Sequence, residues 1–256
     1  MSSPTEDELM VIIGPADTIG DIATKHPESI PCFDRLHLDF STEGERTLER
    51  VCHEEGVEFE RLVDELSGAS PESAPEIDWS QKSLQDLTRR LIDHYHVLSR
   101  ERLSHMQALA MRLTTAKGSK EPQLGRLRRL LDVLHSDLFP HMLKEETILF
   151  PWVERLSRIE AGGSIDRPFF GTIRNPVEMM ALEHGYVAEL LGEIRHMTDD
   201  FRAPAGSGEQ LTELYALLAD FDQLQRLHMH LENNIFFPRA ISLESEVRIV
   251  GNEDDG

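Results

Sequence analysis

The feature that most restricts this chain is a duplicated tract. His141-Met142-Leu143-Lys144-Glu145-Glu146-Thr147-Ile148-Leu149-Phe150-Pro151 recurs as His228-Met229-His230-Leu231-Glu232-Asn233-Asn234-Ile235-Phe236-Phe237-Pro238, with His, Met, Glu, Ile, Phe and Pro kept in register. The two copies lie 87 residues apart, and His96 and His184 form a further pair at an offset of 88. A helix turns about 100° per residue, so a His at i and a Glu at i+4 share one face, a turn apart, and can reach one centre. The pattern predicts two helix pairs related by an internal two-fold, each giving one lone His and one His-x-x-x-Glu.

Apolar periodicity extends these faces into four amphipathic helices, roughly 81–115, 123–158, 176–198 and 209–240. Their stripes are Ile92, His96, Leu103, Met106 and Ala110; Leu131, Leu134, Leu138, His141, Glu145, Ile148 and Trp152; Val177, Met180, His184, Val187 and Leu191; and Leu214, Leu217, Phe221, Leu224, His228, Glu232 and Ile235. Strand alternation is absent from this region. Asn175 with Pro176 and Glu178 reads as the start of the third helix, and Asp78 with Gln81 as the start of the first. Phe150-Pro151 and Phe237-Pro238 read as core aromatics followed by helix stops. Pro140 lies directly before His141 and predicts a kink that either misdirects or aims that side chain.

The expectation is an all-α chain. A small helical domain occupies 1–66, a proline-punctuated linker 67–80, the four-helix bundle 81–240 and an acidic tail 241–256.

Each stripe carries polar groups amid leucine and isoleucine, and an unpaired buried carboxylate costs several kcal/mol. Metal ligation removes the difficulty. Four imidazoles and two carboxylates suit first-row ions such as iron or manganese, and the two glutamates can bridge a pair of them. The order differs from the Glu-x-x-His of ferritin-like di-iron proteins, and the His-Glu-x-x-His of zinc proteases is absent. A lone His-x-x-x-Glu is usually a solvated helix pair, and only its duplication argues for a site. His94, His105, His135 and His230 fall far off the stripes and are read as solvent-facing, and His196 lies near a helix end, where a basic group is favourable. Tyr95 is read as packing. Glu183 and Glu146 are the available proton donors, and Glu183 is read as part of a solvated helix face.

The chain has 26 basic and 47 acidic residues and a net charge of −21. Such a surface repels nucleic acid and anionic lipid and attracts cations. There is no membrane-length apolar run and the first residues are acidic, so a cytoplasmic protein is expected. Cys32 and Cys52 are too few for a disulfide framework.

On these motifs, residues from about Trp79 to Ala240 resemble the hemerythrin-like domain of the repair-of-iron-centres (RIC, ScdA/YtfE) family. The stretch from Thr18 to Leu66 is similar to that family's small N-terminal domain. The resemblance implies a four-helix up-down bundle with an oxo-bridged centre of two non-haem irons, held by His96, His141, Glu145, His184, His228 and Glu232. It implies repair of iron-sulfur clusters damaged by oxidative or nitrosative stress, with iron, oxygen or nitric oxide and the damaged proteins as partners, and it permits a homodimer. One departure is plain: Ser41-Thr42 stand where the family usually has Cys-Cys, and hydroxyls cannot replace thiolates. Oxygen or nitric oxide sensing or storage is the alternative, and turnover of nitric oxide or peroxide a third option.

Overall fold

The structure is a computed structural model and describes residues 13–68, 78–117, 122–159 and 163–250. Most of the expected linker, 69–77, and the last six residues of the expected tail lie outside them. The chain divides into two compact units, 1–81 and 82–256.

In the first unit four short helices, α1 (Ile19–Lys25), α2 (Ile30–Arg35), α3 (Leu48–Glu55) and α4 (Phe59–Ser67), enclose a core of Ile19, Phe33, Phe40, Leu48, Val51 and Leu62. Thr18 and Thr47 cap α1 and α3 by accepting from the amides of Asp21 and Arg50. Gly56, at φ 67°, takes the left-handed conformation that ends α3. In the loop between α2 and α3, Asp39 accepts from the Ser41 amide (2.9 Å), the Ser41 hydroxyl (2.6 Å), the Thr42 amide (3.1 Å) and the Thr42 hydroxyl. Burial raises the Asp39 pKa, but these bonds outweigh it and hold the carboxyl below its usual range. Cys32 is buried and Cys52 half-buried; both are free thiols with pKa values pushed up by burial, the opposite of an activated cysteine.

The second unit is a bundle of four rods. The first joins α5 (Leu84–Arg90), a π-helical turn (Leu91–His96) and α6 (Val97–Lys117). The second joins α7 (Pro122–Lys144), a π turn (Glu145–Leu149) and α8 (Phe150–Leu156). The third is α9 (Arg174–Met197). The fourth joins α10 (Glu209–His230), a π turn (Leu231–Phe236) and α11 (Phe237–Glu246). Successive rods pack together and the first also packs on the fourth, which closes the ring in up-down connectivity. Leu103, Met106, Leu131, Leu134, Leu138, Val187, Leu191, Leu214, Leu218 and Phe221 form the apolar core at one end of the ring.

Several sequence expectations change here. A π turn holds an extra residue, so the buried stripe slips by one position: Leu91 and Leu149 are buried while Ile92 and Ile148 are only half-covered. Leu217 is likewise half-covered and Leu218 takes the core position. Pro151 and Pro238 do not stop their helices. They occupy the first turns of α8 and α11, where a missing amide is tolerated. The first rod is capped by Ser83, which accepts from the Asp86 amide (3.0 Å), rather than by Asp78.

The third rod begins at Arg174 and Asn175 does not cap it. The Asn175 side chain donates to the Phe170 carbonyl instead. The cap is supplied from the far end of the chain: the buried Glu244 carboxylate of α11 accepts from the Ile173 amide (3.0 Å to each oxygen), the Thr172 hydroxyl (2.6 Å) and the Trp152 indole (3.0 Å). Beside it two three-residue strands, β1 (Ser164–Asp166) and β2 (Arg248–Val250), pair in parallel with Ile165 opposite Ile249. Among the described residues no helix is long and apolar enough to cross a membrane.

Candidate metal centre

All six residues singled out from the sequence point into the bundle, and all six are essentially sealed from solvent. Their ligand atoms form two clusters: His96, Glu145, His228 and Glu232 in one, His141, Glu145, His184 and Glu232 in the other. Within each cluster the atoms lie within 4.8 Å of one another. Both carboxylates belong to both clusters. Two imidazoles therefore serve each end, and two glutamates are shared between them.

The π turns build this arrangement, since three of the four rods carry one and each includes or adjoins a site residue. Pro151 lacks the amide that would bond the Thr147 carbonyl, and Pro238 the one for Asn234, so the turn before each proline loosens. The turn at Leu91–His96 has no proline, and no sequence signal marks it. Pro140 leaves α7 unbroken, and His141 is aimed inward.

The contacts are those of groups gathered for cations. His141 and His184 bring their Nε2 atoms to 3.0 Å. His141 Nε2 lies 3.4 Å from Glu145, His184 Nε2 3.1 Å from Glu232, His228 Nε2 3.1 Å from Glu232, and His96 Nε2 3.4 Å from Glu145. That 3.0 Å separation is also the spacing of two ligands about 2.1 Å from one ion at a right angle. Both oxygens of Glu145, one of Glu232 and Nε2 of His96 are buried with no hydrogen-bond partner. Such orphaned acceptors are costly in a bare protein and expected of metal ligands. The residues fit a pair of first-row metal ions.

Electrostatics agree. Burial works against charge on His96 and His141, but Glu145, Glu232 and the outer carboxylates outweigh it and push their pKa values up to about 11 and about 10. Burial and Glu232 oppose ionisation of Glu145, and His141 and His96 overcome them to hold it down at about 2. Glu232 is likewise held well below its usual range by its histidine neighbours. The interior thus keeps two carboxylates ionised and demands compensating positive charge.

An outer ring of partners sets the imidazoles, and sequence reasoning found it only in part. His96 Nδ1 donates to Glu146 (2.7 Å), which Arg100 also binds (2.8 Å). His141 Nδ1 donates to Glu183 (2.8 Å), which Lys144 also binds. His184 Nδ1 donates to Asn233 (2.9 Å). Glu183 is therefore not a solvated bystander: a bond to His141 is the first cause that lowers its pKa, as a bond to His96 is for Glu146. Asn233 had one available signal, its place in the duplicated tract at the position of Glu146. Tyr95 packs, as expected, face to face on His228.

His230 departs from expectation. It is buried rather than solvent-facing, it pairs with Asn234 (2.8 Å), and burial lowers its pKa to about 4. From Leu224 to Glu232 every residue but Leu227 is buried, so this stretch of the rod is covered on nearly every side, which a count from a single stripe misses. His105 and His196 are exposed, His105 pairing with Glu213 (3.3 Å), and His94 and His135 are half-covered.

A helical bundle with an internally repeated set of imidazoles and shared carboxylates defines the class of two-metal bundle proteins. The sequence pattern of the hemerythrin HHE cation binding domain matches residues 87–240, and that of a domain of unknown function (DUF542) matches residues 15–70. The iron-sulfur cluster repair protein YtfE of Yersinia pseudotuberculosis serotype IB is 30% identical over 88% of this chain and 96% of its own length. YtfE of Dickeya chrysanthemi is 29% identical and that of Yersinia pestis strain Pestoides F 30%, over the same shares. This chain belongs to the hemerythrin HHE family, with a DUF542 domain ahead of the bundle.

Proposed function

We propose that this chain is a di-iron protein that restores iron-sulfur clusters damaged by oxidative or nitrosative stress, its irons ligated by His96, His141, Glu145, His184, His228 and Glu232. The observation that carries this is the pair of sealed clusters sharing both carboxylates, four ligand atoms to each. Relatives named iron-sulfur cluster repair proteins, covered over 96% of their length, supply the function. Two irons held by these residues would supply redox chemistry and binding of a small ligand. The chain's own residues hold the site electrostatically: Glu146 and Glu183 steady His96 and His141 and are themselves steadied by Arg100 and Lys144. The damaged cluster proteins are the partners in this reading, and the cytoplasm is its compartment.

Anaerobic reconstitution with ferrous iron tests it. About two irons per chain, loss of iron in His228→Ala, and transfer to an apo cluster protein are expected. Well under two irons, with no change in His228→Ala, refutes the proposal.

One observation favours a second reading, reversible binding of oxygen or nitric oxide. Ser41 and Thr42 hold no thiol and spend both hydroxyls on Asp39, so this loop offers no cysteine chemistry. A stable, reversible oxygen adduct of the reduced protein in stopped-flow spectra, without iron transfer, would select that reading.

A further inference from the structure

The internal two-fold exchanges His96 with His184 and His141 with His228, and so it also exchanges the residues that hold them. Glu146, next after Glu145, corresponds to Asn233, next after Glu232; they accept from His96 and His184 respectively. Glu183, directly before His184, accepts from His141. Its counterpart directly before His96 is Tyr95. Tyr95 gives His228 no acceptor. Its ring lies flat on the imidazole instead, centroids 5.5 Å apart and planes 10° apart. Nδ1 of His228 is buried and has no hydrogen-bond partner among the described residues. Gln225, three residues earlier, fixes its amide nitrogen on the Ser99 hydroxyl (2.6 Å), and its oxygen likewise accepts from nothing.

We propose that the two metal positions are unequal, and that the ion between His96 and His228 is held more weakly and leaves first, because Tyr95 stands where the other half of the fold has Glu183. The inference rests on the di-iron reading above and names which iron is donated. A neutral imidazole bound through Nε2 carries its proton on Nδ1. At His96, His141 and His184 that proton already has an acceptor, which fixes the tautomer and raises ligand basicity. At His228 it has no acceptor among the described residues. Loss of one such outer partner typically lowers metal affinity about 10–100-fold. The position between His141 and His184 has both partners, and the other has one.

Full-length metal-free protein is loaded with one molar equivalent of cobalt(II) and crystallised, and the anomalous density at the two positions is compared. The expected result is density between His141 and His184 exceeding that between His96 and His228 by about 3–10-fold, because one equivalent shared between two tight sites divides as the square root of an affinity ratio of about 10–100. Asn233→Ala removes the acceptor on His184 and is expected to erase the preference, while Tyr95→Gln, which offers His228 an acceptor, is expected to narrow it. Circular dichroism checks that each variant is folded, and the wild-type occupancy decides if neither is. Equal density at the two positions, stronger density between His96 and His228, or a preference unchanged in folded Asn233→Ala overturns the proposal. Fewer than two cobalt ions bound at saturation overturns the di-iron reading itself, so the two failures are distinguishable.

Discussion

Glu244→Ala is expected to be among the most destabilising single changes outside the metal centre. The Glu244 carboxylate receives three separate donors, the Ile173 amide, the Thr172 hydroxyl and the Trp152 indole, and so joins α11, α8 and the start of α9. A hydrogen bond to a charged acceptor is worth about 1.5–3 kcal/mol, and two of these donors, Ile173 and Trp152, are buried and would be left without a partner. The bonds share one acceptor and do not add fully, so the loss is about 3–5 kcal/mol. For a unit of this size 1 kcal/mol moves the melting temperature about 2–4 °C, which predicts a fall of about 6–20 °C. Urea and thermal unfolding of the metal-free chain by circular dichroism measures it, with the exposed Glu246→Ala as control, expected within about 0.5 kcal/mol of wild type. A change below about 1 kcal/mol, or one matched by the control, would show that the cap contributes little.

The shared carboxylates make a second prediction: Glu145→Ala or Glu232→Ala loses both metal ions, whereas His96→Ala keeps about one, by metal analysis of equally folded proteins. Equal losses in all three would contradict the shared geometry. In the N-terminal unit, Ser41→Ala removes one bond to Asp39 and is expected to cost about 1–2 kcal/mol. The Asp39 pKa is lowered on folding, so its contribution is present above the usual carboxylate range and is lost as pH falls through the folded value. Asp39→Asn should therefore be less stable near neutral pH and show a weaker acid loss. Parallel acid-unfolding curves for variant and wild type would refute that assignment.

The four helices and the facing stripes were legible in the sequence because a repeat preserved residue types at helical spacing, and periodicity is a local property of the chain. His141 with Glu145, and His228 with Glu232, meet within a single rod. Which rods share a cluster, and which outer groups meet the histidines, was not legible. Glu146 lies 50 residues from His96 and Glu183 lies 42 from His141, and no local pattern states that they touch.

The burial of His230, the slip from Ile148 to Leu149 and the cap that Glu244 provides likewise arose only from packing. A π turn changes the phase of everything beyond it, and a fixed count of 100° per residue carries that error forward. The sequence determined which side chains could share a helix face, because the backbone imposes that spacing wherever a helix forms. Tertiary structure alone decided which faces meet and which proton finds an acceptor, because those depend on distances between segments that the chain brings together only when the bundle closes.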